Sequence, residues 1–342
     1  SNGICSLRPN EDRCSMICEM SIGLDGKRKK YKFYSGLINS KARLTYNQVE
    51  KNLNKSFNIK QAGVRASIEH LKDLANLRLK LRHQRKALEI KPIEATLELD
   101  KNKEVKNLHI KKPLFAHKLV EESMLLANES AAEFMQERLN LGVYRIHEDP
   151  DPSKLEALKK HFQISPKQVK KLSSLEVVNL CLDQANKKND TTGQILVLQT
   201  LARAEYSTNN LGHFGLQLGQ YSHFTSPIRR YPDLLVHRLI NSSLAQKKIQ
   251  TRQNELQDEC ENSSMLERRA EKASRQVEQV LICTYLKTKI GSTMDGVVTG
   301  VTDFGLFVNL EPYFISGLLH VSDLPDDRYH FLPDRNALKG KR

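Results

Sequence analysis

The stretch "HFTSPIRRYPDLLVHRLI", residues 223–240, combines features that one regular helix does not accommodate. Pro227 and Pro232 flank the adjacent pair Arg229 and Arg230. A helix that started at Pro227 would place Pro232 beyond its first turn, where the missing N–H removes a helical hydrogen bond. We therefore predict a bent turn up to Arg230, followed by a helix with Pro232 at its first position.

The predicted helix would turn Leu235, Leu239 and Ile240 inward and leave the arginine pair at its entrance. Helix N-termini bind anions through free backbone N–H groups and the helix dipole. A guanidinium adds a planar fork that matches phosphate oxygens. The stretch therefore predicts a phosphate-binding site. One alternative stays open: the arginines pair with Asp233 or another local carboxylate.

The composition points to a polyanionic partner. The 342 residues carry a formal net charge of +14, with a pI near 9.4. Such an excess is typical of proteins that bind nucleic acid, although a merely basic surface is the alternative. No apolar run approaches the roughly 18 residues of a membrane span, so we expect no membrane partner.

The cysteines predict neither disulfides nor a metal site. None of them forms a C-x-x-C pair, and no histidine stands at zinc-site spacing. We expect reduced thiols and a cytoplasmic protein. The six positions are Cys5, Cys14, Cys18, Cys181, Cys260 and Cys283.

The pattern along the chain predicts an α+β fold. Alternating apolar and polar residues around "LDGK" predict a β-hairpin over residues 16–38. A long amphipathic helix follows over 64–88, and a short strand pair over 94–111. A second long helix begins at 117 and ends at Gly142. The expected inward stripe of the first helix is Ile68, Leu71, Leu74, Leu77 and Leu81; that of the second includes Leu119, Met124, Leu125 and Phe134.

The residue pattern changes twice in the second half of the chain. Residues 153–205 are predicted to be helical, with "ISPKQ" and "TTGQ" as helix starts. After residue 285 the sequence becomes β-branched and punctuated by glycine, which is typical of strands. We place a domain boundary near Lys289.

Several of these stretches resemble one family. "GHFGLQLGQYSHFTSPIRRYPDLLVHR", residues 212–238, is similar to the signature of the RNase II/RNase R exoribonucleases. Four further stretches agree, so the resemblance covers nearly the whole chain. They are "SNGICSLRPNEDR", "YKFYSGLINSKARLTY", "HKLVEESMLLANESAAEF" and "YRIHEDPDPSKLEAL".

The resemblance implies a fold and an activity. Residues 1–288 would be the C-terminal portion of an RNase II-type (RNB) catalytic domain. That domain hydrolyses RNA from its 3′ end and releases nucleoside 5′-monophosphates. Magnesium ions would activate the attacking water and stabilise the leaving oxygen.

The resemblance also implies roles for individual residues. Arg229 would be catalytic, stabilising charge at the scissile phosphate. Phe33 or Tyr34 would stack on RNA bases, although a core strand aromatic is the alternative for Phe33. The residues expected to line or support the phosphate pocket are His223, Thr225, Ser226, Arg230, Tyr231 and Asp233.

The magnesium ligands of the family form the main departure. They are a cluster of aspartates, which we expect upstream of this chain together with a catalytic tyrosine. The chain alone is therefore expected to be an inactive fragment without metal ligands. Asp149, Asp151, Asp326 and Asp327 are interpreted as solvated loop carboxylates. The glutamate that the family uses after the signature cannot be assigned among Glu267, Glu271 and Glu278, and a solvated helix face is favoured for each.

The last segment resembles an S1-type RNA-binding domain, which has the OB-fold barrel. Residues 289–342 would form part of it, ending before the last strands. Phe304, Phe307 and His320 are candidates for stacking on single-stranded bases. The alternative makes both phenylalanines part of the barrel core.

These observations favour an RNase R-like exoribonuclease that acts as a monomer on single-stranded RNA. The rival interpretation is a protein that binds single-stranded RNA and hydrolyses nothing. A translation- or ribosome-associated RNA-binding protein is a third possibility, which residues 212–238 disfavour.

Overall fold

A computed structural model of the chain shows a mixed fold of helices and small antiparallel sheets, which confirms the predicted α+β class. The described chain divides into two compact units. The first comprises Ser1–Leu88, Pro113–Asp149 and Ala202–Arg268, and the second Glu89–Lys112, Pro150–Leu201 and Arg269–Arg342. The structure describes residues 3–89, 95–102, 104–110, 113–165, 172–188, 190–248, 251–311, 315–325, 327–332 and 337–341.

The helices are α1 (Tyr46–Leu53), α2 (Ala62–Gln84), α3 (Phe115–Arg138), α4 (Pro152–His161), α5 (Ser174–Lys187), α6 (Thr191–Thr200), α7 (Tyr231–Leu244) and α8 (Gln253–Lys287). Short 3-10 turns occur at Phe214–Leu216 and Val321–Asp323.

The strands are β1 (Asp12–Ile22), β2 (Arg28–Asn39), β3 (Ala95–Leu99), β4 (Val105–Ile110), β5 (Tyr144–Ile146), β6 (Glu205–Ser207), β7 (Gly296–Val301), β8 (Gly305–Leu310), β9 (Ile315–His320), β10 (Tyr329–Leu332) and β11 (Ala337–Gly340). They pair antiparallel as β1–β2, β3–β4, β5–β6, β7–β8–β9 and β10–β11.

The β1–β2 hairpin confirms the prediction from "LDGK". Its turn contains Gly26 with φ of +75°, a conformation that glycine adopts without steric cost. A side chain there would lie 2.9 Å from the Cβ of Leu77 on α2. The turn therefore packs closely on α2, and the Nη1 of Arg78 donates to the Gly26 carbonyl at 3.4 Å.

Helix α2 forms as predicted, but its buried face differs from the expected stripe. Ile68 is buried, whereas Leu71 is 40% exposed. Ala75 and Arg78 are the other buried residues. Arg78 is buried because its guanidinium faces the buried carboxylate of Glu122 on α3. The Nε of Arg78 and the Oε2 of Glu122 are 3.8 Å apart. An ion pair between helices decides this face, and apolar periodicity alone does not reveal it.

Helix α3 supplies much of the core of the first unit. Leu119, Leu125 and Phe134 are buried as predicted, and Met124 is half-buried. The helix ends at Arg138 with Leu139 as its cap, a few residues before Gly142. Phe134 packs in one cluster with residues of the β1–β2 hairpin and α7. The same cluster contains Phe224, so the core extends to both ends of the "TSPIRR" segment.

Local signals fix the described helices of the second unit. Asp151 accepts hydrogen bonds from the N–H groups of Ser153 and Lys154 at the start of α4. Asp190 caps α6 in the same way, which confirms "TTGQ" as a helix start. The predicted helix start at "ISPKQ" extends into 166–171, outside the described residues. No helix in the described ranges is long and apolar enough to cross a membrane.

Candidate active site

The "TSPIRR" segment is a bent turn, as predicted. The Ser226 carbonyl accepts hydrogen bonds from the backbone N–H groups of Arg229 at 3.3 Å and Arg230 at 3.1 Å. Helix α7 then begins at Tyr231, so Pro232 is its second residue and not its first. The shift costs nothing, because no N–H in the first helical turn has an intrahelical partner.

Asp233 stabilises this turn through hydrogen bonds from a buried position in the first unit. Its side chain is fully buried. Its Oδ1 accepts from the backbone N–H of Ser226 at 2.7 Å and from Nη2 of Arg230 at 2.9 Å. One carboxylate oxygen thus joins the start of the turn to its end.

The two arginines therefore have different environments. The alternative that we kept open holds for Arg230, whose guanidinium is paired with Asp233 and largely buried. Arg229 is exposed, and in the described part of the chain no carboxylate lies within ion-pair distance of it. The fold leaves one cation of the pair available for an anion.

Three buried polar atoms of this region have no hydrogen-bond partner among the described residues: Thr225 Oγ1, Arg230 Nε and Asp233 Oδ2. A buried polar atom without a partner costs about 1–3 kcal/mol. Binding and catalytic sites keep polar groups ready for a ligand in this way, but Arg78, Arg82 and Glu122 at the contact between α2 and α3 also carry such atoms, so the unpaired atoms alone do not identify a site.

A layer of histidine and tyrosine side chains lies beneath the turn. The hydroxyl of Tyr206 is 2.8 Å from Nδ1 of His223. The His223 ring also meets Tyr221 edge-on, with centroids 5.7 Å apart. Burial, followed by the positive charges of Arg230 and Arg145, lowers the pKa of His223 to about 2. The imidazole is therefore neutral at ordinary pH.

Asn128 connects α3 to this layer. Its Oδ1 accepts the backbone N–H of Phe224, and its Nδ2 donates to the hydroxyl of Tyr221, both at 2.9 Å. Asn128 was not among the predicted site residues. Its signal was an amide at helical spacing from four apolar residues, an arrangement that is costly unless the amide is bonded; the four are Met124, Leu125, Ala131 and Ala132.

Comparison with known proteins gives the family. The RNB domain matches residues 1–246, and the S1 RNA binding domain matches residues 287–342. The chain belongs to the RNase II/RNase R family. Ribonuclease R of Vibrio cholerae is 34% identical over 359 residues, which cover 100% of this chain and 44% of that protein. Ribonuclease R of Thermotoga maritima is 36% identical and is covered to 50%.

Solved structures agree with this assignment. Mycoplasma genitalium RNase R in complex with ribose methylated single-stranded RNA superposes with a TM-score of 0.93 at 28% identity, covering 100% of this chain and 55% of that one. Yeast Ssd1, described as a pseudonuclease, shares the fold with a TM-score of 0.73 at 18% identity. The chain spans about half the length of the ribonuclease R relatives. The domain boundary at Lys289 stays a prediction.

The residues present do not fit the magnesium site that the family implies. Within the described residues, no group of three or more histidine, cysteine, aspartate or glutamate side chains could hold a metal ion. Asp233 is already engaged by Arg230 and a backbone N–H.

The other described acidic candidates are loop residues or a helix cap. Asp151 is an exposed helix cap and Asp149 an exposed loop residue, as predicted. Asp327 accepts from the backbone N–H of Arg328 at 2.7 Å. Asp326 lies outside the described residues.

The glutamates of α8 can now be distinguished. Glu267 binds Arg145, with Oε2 and Nη1 2.6 Å apart. Glu271 pairs with Arg275 on the same helix, and Glu278 is exposed. Glu267 alone among the three therefore joins α8 to the layer beneath the turn, through Arg145.

The structure corrects the stacking role predicted for Phe33. Its ring is only 2% exposed and packs edge-on against Phe134 and Phe224, with centroids 5.4 and 5.2 Å away. No ring face is left for a base, so Phe33 is a core strand aromatic. Strand alternation places Tyr34 on the other face of the hairpin, where its hydroxyl donates to Glu19 at 2.8 Å.

The aromatic candidates near the C-terminus are exposed. Phe304 is 45% and Phe307 36% exposed, with ring centroids 6.1 Å apart. His320 is exposed at the end of β9. Neither phenylalanine is buried in a barrel core, and stacking on RNA stays a prediction.

Proposed function

We propose that the protein to which this chain belongs is a hydrolytic 3′→5′ exoribonuclease that releases nucleoside 5′-monophosphates. The family assignment supports the reaction class. The observation that supports the phosphate site is the difference between the two arginines. Arg230 is paired with buried Asp233, whereas Arg229 is exposed and has no carboxylate partner among the described residues.

The turn would bind the phosphodiester that is to be cleaved. Arg229 would donate from its planar fork to the non-bridging phosphate oxygens. Charge on those oxygens grows during attack, so a fixed donor stabilises the transition state more than the ground state. Ser226, Arg230 and Asp233 would hold the turn in shape, and Thr225 and Tyr231 would line the pocket.

Magnesium enters as part of the proposal. It would supply an activated water and stabilisation of the leaving oxygen. We propose that its ligands are aspartates outside this chain; the residues that the structure describes offer no cluster for it. We therefore propose that this chain binds single-stranded RNA without hydrolysing it. Phe304, Phe307 and His320 of the S1 domain would add stacking contacts.

The test compares this chain with the full-length product of its gene. Each is incubated with a 3′-labelled oligoribonucleotide and magnesium. We expect mononucleotide release, blocked by EDTA, from the full-length product alone. Release by this chain itself would show that the catalytic centre has been misplaced.

A non-catalytic RNA-binding protein is the second candidate. The match to the S1 RNA binding domain and the net charge of +14 support RNA binding without requiring hydrolysis. RNA binding without hydrolysis by the full-length product would establish this second candidate.

A further inference from the structure

The hydrogen bond between Tyr206 and His223 fixes where the imidazole carries its hydrogen. The Tyr206 side chain is buried. The only hydrogen-bond partner of its hydroxyl among the described residues is Nδ1 of His223. A buried hydroxyl whose hydrogen is unused pays a desolvation penalty. The Tyr206 O–H therefore donates to Nδ1, which must be unprotonated, and the hydrogen of neutral His223 is on Nε2.

The surroundings keep both groups in this form. Burial and the cations of Arg230 and Arg145 hold the pKa of His223 at about 2. Burial raises the pKa of Tyr206 to about 12. Neither group ionises between these limits, so the donor at Nε2 does not depend on physiological pH.

Tyr206 is in turn held from two sides. The guanidinium of Arg145 lies over its ring, 4.5 Å from the centroid, and Arg145 is paired with Glu267 on α8. The backbone N–H of Tyr206 donates to Ser264 Oγ at 2.9 Å. A continuous chain of contacts thus runs from Glu267 through Arg145 and Tyr206 to His223.

Nε2 of His223 has no partner among the described side chains and backbone groups. His147, a neighbour in the same layer, differs: its Nδ1 accepts from Gly215 N–H at 3.0 Å and its Nε2 donates to the Ala202 carbonyl at 2.9 Å. Both nitrogens of His147 are used to hold loops together. In His223 the Nε2–H donor is unused, and this residue is close to Arg229 and Arg230 in the chain.

We propose that His223 is a hydrogen-bond donor, whose Nε2–H binds a phosphate oxygen of RNA beside Arg229. Tyr206, Arg145 and Glu267 are the positioning residues that fix its tautomer and ring orientation. The assignment rests on the proposed function only in that the turn is the place where the phosphate binds. A neutral donor adds a directed bond without a second mobile cation.

Nuclear magnetic resonance of this chain, with ¹⁵N-labelled histidine and arginine, tests the proposal. Between pH 5 and pH 8, the range in which an ordinary histidine titrates, His223 should show protonated Nε2 and unprotonated Nδ1. Adding a short oligoadenylate should shift the His223 Nε2–H and Arg229 signals and leave His147 unchanged. The Tyr206→Phe variant keeps the aromatic ring under Arg145 but removes the hydroxyl. In this variant His223 should no longer be present only as the tautomer with its hydrogen on Nε2.

The outcomes separate the inference from the function on which it rests. A protonated Nδ1 on His223 overturns the inference. So does a shift at Arg229 with none at His223, which leaves the phosphate site intact. RNA binding that shifts neither residue contradicts the phosphate site itself, and the inference with it.

Affinity measurements give a second readout. His223→Phe should weaken oligoadenylate binding about tenfold, the effect of losing one hydrogen bond to a charged group. His223→Gln, which can place an amide donor in the same region, should recover most of the loss. Unchanged affinity in His223→Phe would show that the ring matters only for packing, and weakening by both variants to the same extent would show that a donor at this position does not restore binding; either result contradicts the proposal.

Discussion

At the scale of single residues, Arg229 and Arg230 show how the fold separates neighbours in the chain. One guanidinium completes the buried structure of the turn through Asp233, and the other is exposed. The sequence predicted the pair and the bent turn. It left open which arginine would be neutralised, because that depends on the side on which α7 places Asp233.

The separation predicts different kinetics for two conservative variants of the full-length protein. Arg229→Lys keeps the charge but loses the fork, so kcat should fall by about 10²–10³. RNA affinity should change little, because many other basic groups hold the strand. That pattern marks an interaction made mainly in the transition state.

Arg230→Lys is the matched control. It weakens the bond to buried Asp233, so we expect a loss of stability of about 1–3 kcal/mol in urea unfolding and a smaller fall in kcat. Equal falls in kcat would mean that the pair only builds the turn. An unchanged kcat in Arg229→Lys would remove Arg229 from the active site.

Two half-buried histidines, His213 and His223, predict how stability depends on pH. Burial lowers the pKa of His213 to about 3 and that of His223 to about 2, from an ordinary value of 6.5. Below pH 6.5 the unfolded chain binds protons that the folded chain excludes, so unfolding becomes easier as pH falls. Each histidine removes about 1.4 kcal/mol per pH unit once fully engaged.

Urea unfolding of this chain at pH 7 and pH 5 measures the effect. Stability should be lower at pH 5, and His213→Asn should reduce the difference. A free energy of unfolding that is constant over this window would show that these histidines are protonated in the folded state.

At the scale of elements, local patterns predicted the hairpin, the long helices and the helix start at "TTGQ". Each depends on residues within one turn of the element. The inward face of α2 was predicted only in part, since Arg78 is buried by partners on α3 that lie far along the chain. The choice between stacking and core for Phe33 was left open for the same reason: alternation along β2 gives its face, and only packing against Phe134 and Phe224 shows that the core alternative holds.

The ionic contact between α2 and α3 gives a stability prediction. Glu122 is fully buried, faces Arg78, and is bonded by Nη1 of Arg82 at 3.2 Å. Glu122→Ala should cost about 3–5 kcal/mol, because it leaves buried guanidinium groups without a partner. Glu122→Gln should cost less, since the amide oxygen still accepts a hydrogen bond.

The control for Glu122 is Glu271→Ala on α8. Glu271 and its partner Arg275 are both exposed, so the change should stay within about 0.5 kcal/mol. Urea unfolding of this chain compares the variants. Similar costs at Glu122 and Glu271 would show that the buried contact contributes no more than a surface pair.

At the scale of the whole molecule, a resemblance to known motifs supplied what periodicity did not. Residues 212–238 predicted the family, and the domain matches confirm it. The phosphate pocket was predicted from residues that are close together in the chain. Asn128 and Tyr206, which reach the same region from other elements, were missed because one sequence does not reveal contacts between distant segments.

The charge of the whole chain predicts that RNA binding depends strongly on salt. A chain with a net charge of +14 that neutralises several phosphates releases their counterions. The logarithm of affinity should then fall linearly with the logarithm of salt concentration, by about 0.7 per phosphate contacted on a single strand. Fluorescence anisotropy with a labelled oligoribonucleotide, from low to moderate salt, gives the slope.

Two neutralising variants show where the contacts lie. Arg229→Gln should make the slope shallower by about 0.7, because it removes one phosphate contact. Arg275→Gln removes the same charge from an exposed helix position that is already paired with Glu271, so its slope should match that of the unmodified chain. Equal changes in both variants would mean that the slope reports total charge rather than contacts at the turn. A flat affinity in the unmodified chain would mean that its positive charge does not serve RNA binding.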